Sequence, residues 1–137
     1  YIEKNIELFH IDHVEIKEKG ASDRNGTMYL SSNELSSINQ LSESGEMTVP
    51  IVKIDDDIEE DITFIKMDIE GGEEKALLGC LEKIKKNHPK LALSVYHNHK
   101  DLWKLTRMIY EADPSYHFYL RYYGSPVFPT EYILYAV

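Results

Sequence analysis

The chain has 137 residues, enough for one domain and too few for two. Hydrophobic residues make up 42% and charged residues 28%, so a small core is within reach, while a net charge of −9 speaks against a nucleic-acid backbone or an anionic membrane surface as partner. One cysteine, Cys80, excludes a disulfide framework and a cysteine-based metal site; with no membrane-length apolar run and no signal peptide, a cytoplasmic setting is expected.

Residues 1–10 carry Ile2, Ile6 and Phe9 at helical spacing, which predicts a short amphipathic helix or the end of a longer one. Val14 and Ile16 alternate with charged residues and predict a strand ending near Gly20-Ala21. Asp23-Arg24-Asn25-Gly26 is turn chemistry, followed by a short strand at Thr27–Leu30. Residues 31–46 are polar and rich in Ser and Asn, and read as a loop. Met47–Ile54 reads as a strand that Pro50 demotes to an edge or a bulge.

Ile62–Met67 is a short, nearly continuous apolar run, the pattern of a buried strand, with Gly71-Gly72 close behind it. Ala76, Leu77, Cys80, Leu81 and Ile84 then form a helical stripe, so one helix is predicted over about 73–87, with Cys80 as a buried small hydrophobe. Lys83, Lys85 and Lys86 read as the solvated face of that helix. Leu91–Tyr96 is the next strand, and Leu102, Leu105, Ile109 and Ala112 mark another helix closed by Asp113-Pro114. Aromatic-rich strands at about 117–123 and 131–137 finish the chain, joined by a turn with Gly124, Pro126 and Pro129. This order is the grammar of an α/β fold with parallel strands and covering helices. The last connection is too short for a crossover helix, so the final pair should be antiparallel.

Ligands of an open α/β sheet sit outside the carboxyl ends of its strands. Asp68-Ile69-Glu70-Gly71-Gly72-Glu73 occupies such an end: two carboxylates, Asp68 and Glu70, precede glycines that let the backbone approach a ligand. Asp68 ends an apolar strand, a costly place for a carboxylate without a partner, and is read as functional. Glu73 and Glu74 open the helix, where its dipole favours negative charge; capping and solvating the helix is one reading of both, and the one adopted for Glu74.

The run Phe64-Ile65-Lys66-Met67-Asp68-Ile69-Glu70-Gly71-Gly72-Glu73 resembles the central signature of the FkbM family of methyltransferases. Upstream, Ala21-Ser22-Asp23 with Gly26 and Ile54-Asp55-Asp56 are similar to the family's segments ahead of that signature. Downstream, Ser94-Val95-Tyr96-His97, Asp101-Leu102-Trp103, Tyr119-Leu120-Arg121-Tyr122-Tyr123 and Thr130-Glu131-Tyr132-Ile133-Leu134-Tyr135-Ala136 resemble its later strands and ending. The resemblance covers nearly the whole chain. It implies a Rossmann-like, class I methyltransferase sheet with a C-terminal antiparallel strand pair, and S-adenosylmethionine as cofactor.

One departure stands out. The family's opening strand, its Gly-rich loop for the methionine end of the cofactor, and the acidic residue after the second strand have no counterpart here; Gly20, Gly26 and Gly45 are isolated. With a start at Tyr1 rather than methionine, the expectation is a single partial domain over 1–137, N-terminally truncated, whose missing strands belong between the strand near residue 16 and the strand near 65.

The resemblance implies that Asp68 lies beside the transferred methyl group and the incoming hydroxyl, with Glu70 reaching the same pocket. Transfer to an alcohol needs in-line positioning and a base, and His97, at the end of the next strand, is the residue suited to take the proton. The alternative for His97 is a strand-end histidine bonded to backbone. Ala21, Ser22 and Asp23, together with Asp68, are the expected cofactor contacts. His97, His99 and Asp101 with Asp68 and Glu70 also offer metal donors, but their spacing is not diagnostic and no metal is expected. Arg121, Tyr122 and Tyr123 are placed near an acceptor cleft, though the tyrosines read first as core.

The function expected is S-adenosylmethionine-dependent O-methylation of a hydroxyl on a sugar, glycan or secondary metabolite, with no nucleic-acid or membrane partner and an oligomeric state left open. Two alternatives stand beside it. One is a non-catalytic fragment with a structural or interaction role, favoured by the lack of a Gly-rich loop. The other is half of a dinucleotide-binding oxidoreductase, weakened by the absence of Gly-x-Gly-x-x-Gly.

Overall fold

The computed structural model describes residues 1–32, 39–42, 44–45, 47–127 and 130–137. Helix α1 (Ile2–Leu8) forms where the helical spacing predicts it, yet buries none of its residues. The alternation around Val14 and Ile16 does not become a strand. Strand β1 is confined to Gly20–Ala21, the two residues that lie parallel to Ile51 and Val52. Val14 and Ile16 stay exposed because no strand among the described residues pairs with them, and a strand needs a ladder as well as a pattern.

Strands β2 (Gly26–Ser32), β3 (Asn39–Ser42) and β4 (Met47–Val52) complete a first sheet in the order β1-β4-β2-β3. The polar stretch expected to be loop therefore contains strand, with Tyr29–Ser32 pairing antiparallel with Asn39–Ser42; residues 33–38, 43 and 46 lie outside the described residues. Pro50 sits in an interior strand, not an edge. It is tolerated because β1 pairs only with Ile51 and Val52, leaving β4 open on that side at Pro50. The strand stops at Val52, before the predicted Ile54. There Asn25 accepts from the Lys53 N–H (2.8 Å) and donates to Asp56 (2.8 Å), and a short helix α2 (Ile54–Asp57) begins.

The second sheet contains β5 (Phe64–Met67), β6 (Lys90–Ser94), β7 (Phe118–Tyr122) and β8 (Tyr132–Ala136) in the order β5-β6-β8-β7. β5 and β6 are parallel neighbours, as the sequence predicts. β8 runs antiparallel to both β6 and β7, so the expected C-terminal pair forms. Pro129 in their connection is outside the described residues.

The crossover from β5 to β6 is not one helix. It divides into α3 (Glu73–Leu78) and α4 (Leu81–Asn87), with Gly79 and Cys80 between them. Two outside contacts make the break. Asp55 donates its backbone N–H to the Gly79 carbonyl (2.8 Å), and its carboxylate accepts the N–H groups of Glu82 (3.2 Å) and Lys83 (2.9 Å), capping α4 from another segment. Gly79 also meets the chain after β1: a Cβ built there would stand 1.9 Å from the Ser22 carbonyl oxygen.

Helix α5 (Asp101–Ala112) packs on α3 and α4 through Leu105 and Ile109, whereas the predicted stripe residue Leu102 is exposed. The core joins Ile65, Met67, Leu91 and Leu93 of the second sheet to Ala76, Leu77, Cys80, Ile84, Leu105 and Ile109 of the helices. Cys80 is buried as expected, and burial pushes its thiol up to about 12. Lys83 departs from expectation. It is buried, and its Nζ donates to the carbonyls of Glu59 (3.0 Å) and Glu60 (2.9 Å), so it anchors the loop before β5. Among the described residues no helix is long and apolar enough to cross a membrane.

β1 and β5 each end their sheet, with one edge unpaired among the described residues. Between the end of β1 and the loop after β5 opens a cleft of about 1200 Å³.

Candidate functional site

Strand β5 alternates outward Phe64 and Lys66 with buried Ile65 and Met67, and so delivers Asp68 at its carboxyl end. The chain then reverses through a turn closed by the Gly72 N–H on the Ile69 carbonyl (3.1 Å). Its two central residues, Glu70 (φ 55°) and Gly71 (φ 93°), lie in the left-handed region. That conformation costs a residue with a side chain on the order of 1–3 kcal/mol. It holds Glu70 beside Asp68 and turns the following chain into α3. Strand β6 ends alongside and carries Tyr96 and His97 to the same point.

The three residues expected to be catalytic are thereby brought together. His97 Nε2 is 3.4 Å from Glu70 Oε2 and 3.7 Å from Asp68 Oδ1. Asp68 is exposed, and accepts a hydrogen bond from the Tyr96 hydroxyl (3.1 Å) with Lys66 Nζ 3.7 Å away. Partial burial, and then the charge of Asp68, push the Tyr96 phenol above its ordinary range, which keeps it a proton donor to Asp68.

The sequence reading missed Glu73. It was not among the expected site residues, yet it is 0% exposed, and its Oε1 lies 2.9 Å from His97 Nδ1 while also accepting the Ile69 N–H (2.9 Å). Its place as the third acid of Asp-x-Glu-Gly-x-Glu was the signal available. His97 is thus bonded to a carboxylate, not to backbone. Glu74, by contrast, pairs with Lys104 at the surface (2.7 Å).

Asp68, Glu73 and His97 offer ligand-type atoms within 4.8 Å of one another, a grouping that can gather round a cation. The closest two of these side chains, Glu73 and His97, are instead joined directly by a hydrogen bond. His99 is exposed, and Asp101 is buried in a different task, accepting the Asn98 N–H (3.0 Å) and amide (3.2 Å) at the start of α5. Burial raises the Asp101 carboxyl, opposed by the Asn98 hydrogen bonds.

Ala21, Ser22 and Asp23 line the wall of the cleft opposite Asp68, Glu70 and Gly71. Ser22 is fixed there by its N–H on the Val52 carbonyl (2.8 Å), with its hydroxyl on Asp23 (3.1 Å). The expected cofactor contacts therefore share one cavity with Asp68 and Glu70, although β1 and β5 belong to different sheets; His97 is not part of its lining and reaches it through its contacts with those two carboxylates. Arg121, Tyr122 and Tyr123 do not join them. The tyrosines are neither core nor cleft: both are at least half exposed, with Tyr122 against Tyr132 and the Tyr123 hydroxyl 3.1 Å from that of Tyr135.

Comparison with known proteins follows this geometry. Residues 3–125 match the family model described as the methyltransferase FkbM domain. The fold is similar to the crystal structure of methyltransferase FkbM from Methylobacillus flagellatus KT, with a TM-score of 0.77 and 27% identity over 99% of this chain. The match spans 32% of that protein, about a third of its length. No curated protein matches. With the family model matching most of its length, this chain belongs to the FkbM methyltransferase family.

Proposed function

We propose that this chain forms the acceptor-side part of an S-adenosylmethionine-dependent O-methyltransferase acting on a hydroxyl of a sugar, glycan or secondary metabolite. The observation that carries the reading is the clustering of His97 with Asp68 and Glu70, two carboxylates that line a cleft also lined by Ala21–Asp23. We further infer that the fold is a partial Rossmann-like sheet. The open edges of β1 and β5 mark where further strands, bearing the Gly-rich loop, would insert.

The residues present suit such a cofactor on one side. A cleft of about 1200 Å³ has room for a nucleoside-sized ligand and an acceptor together. The carboxylates of Asp68 and Glu70 complement a sulfonium charge, and Ala21–Asp23 offer a small-residue rim for a flat base. When bound, the cofactor supplies the electrophilic methyl group: the acceptor oxygen bonds to its carbon as the carbon–sulfur bond breaks, the electron pair remaining on sulfur. Asp68 orients the acceptor hydroxyl, His97 Nε2 takes its proton, and Tyr96 holds Asp68 in place through its hydrogen bond.

The test uses the full-length protein, labelled S-adenosylmethionine and a panel of hydroxylated sugars and metabolites. Asp68→Ala should lower turnover by roughly 100-fold or more while the circular dichroism spectrum is retained. Unchanged turnover would make Asp68 a structural residue and remove the centre of this reading.

A further inference from the structure

We infer that Glu73 is the positioning residue of the site, a buried carboxylate that fixes the tautomer and aim of His97. The inference rests on the reading of His97 as proton acceptor and deepens it. Three observations carry it. Glu73 is fully buried although it is the first residue of a helix where an acid would ordinarily meet water. Its Oε1 is already an acceptor, holding the Ile69 N–H at 2.9 Å. The same oxygen stands 2.9 Å from His97 Nδ1.

The direction of that last bond follows from the donor count. A neutral imidazole has one N–H and one lone pair, and the group that faces one nitrogen decides which is which. Were Nδ1 the acceptor, Glu73 would have to carry a proton on an oxygen already receiving the Ile69 N–H. A proton on Oε2 would be a buried donor without an acceptor, since that atom has no hydrogen-bond partner among the described residues, at a cost of roughly 1–3 kcal/mol. Glu73 therefore accepts and Nδ1 donates. The lone pair of Nε2 is left facing Asp68 and Glu70 at the cleft.

Those neighbours make the arrangement purposeful. The groups around the ring are Asp68 and Glu70 from the loop after β5, Glu73 from α3, the buried Asp101 at the start of α5, and Tyr96 from its own segment. The Nε2 lone pair and the two carboxylates, 3.7 and 3.4 Å from it, bring three acceptors together. A hydroxyl donor is the group such a set takes.

The experiment is a long-range proton–nitrogen spectrum of the full-length protein labelled with 15N-histidine, recorded without methyl donor, at a pH where histidine is neutral. His97 should show the Nδ1–H tautomer. Glu73→Gln, whose amide carbonyl still accepts, should keep it. Glu73→Ala should shift His97 toward the Nε2–H form that a free neutral imidazole prefers in water; if the alanine variant does not fold, Glu73→Asp, one methylene shorter, makes the same comparison. Nε2–H in the unaltered protein, or no change on losing the carboxylate, would overturn the inference. Because no methyl transfer is read, a correct tautomer in an enzyme indifferent to Asp68→Ala would sink the catalytic reading and leave this one standing.

Discussion

Tyr116 shows how a single side chain ties stability to pH away from the cleft. It is buried, donates its hydroxyl to the Pro89 carbonyl (2.7 Å), and stacks on His88 with ring centroids 4.1 Å apart. Burial, helped by the negative charge of Asp113, pushes the phenol from 10.0 up to about 12. The folded chain thus favours the protonated form. Its contribution, on the order of 2 kcal/mol, is complete below pH 10 and is lost as pH rises toward 12. Denaturant titrations across this window should show unfolding free energy falling with pH, and Tyr116→Phe should flatten that slope while costing about 1 kcal/mol at neutral pH. A slope untouched by the substitution would assign the alkaline sensitivity elsewhere.

The divided crossover is the informative element. Gly79 lies at the break with the Ser22 carbonyl where its Cβ would be, and neither group is a flexible side chain. Gly79→Ala should cost at least ~2 kcal/mol and lower Tm by several degrees, despite alanine's better helix propensity. A thermal scan matching or exceeding the parent's Tm would show that the contact yields. The same element marks what sequence reveals. The parallel pairing of β5 with β6 was legible because a buried strand needs an apolar run and a covering helix, both local patterns. The break at Gly79 was not, because it is made by Ser22 and Asp55, distant in the chain. The Val14–Ile16 alternation misled for the opposite reason: the pattern is present and the partner strand is absent among the described residues. Asp68 and His97 could be chosen as strand-end residues. Glu73 could not, since helix-opening acids ordinarily face water and its burial depends on the ring arriving from β6.

At the scale of the molecule, two four-stranded sheets each present an open edge beside the cleft. A cofactor of nucleoside and amino-acid parts is held by several segments at once, and among the described residues our proposal gives it the Ala21–Asp23 rim and the Asp68 side. Losing several hydrogen bonds at about 1 kcal/mol each weakens binding by orders of magnitude. Calorimetric titration of the isolated 137-residue chain with S-adenosylhomocysteine should therefore show no binding in the micromolar range, whereas the full-length protein should bind. Micromolar binding by the isolated monomer would mean that the segments present suffice. No binding by either would favour the non-catalytic alternative.

The seam at Gly79 has a consequence for how such a cleft diverges. Ser22 hangs on the Val52 carbonyl, Asp55 on the Gly79 carbonyl, and the Ser22 carbonyl rests where Gly79 has no side chain, so the opposing walls are riveted by main chain at their base. The spacing between walls is inherited with the backbone, and a side chain at position 79 would disturb the whole slot at once.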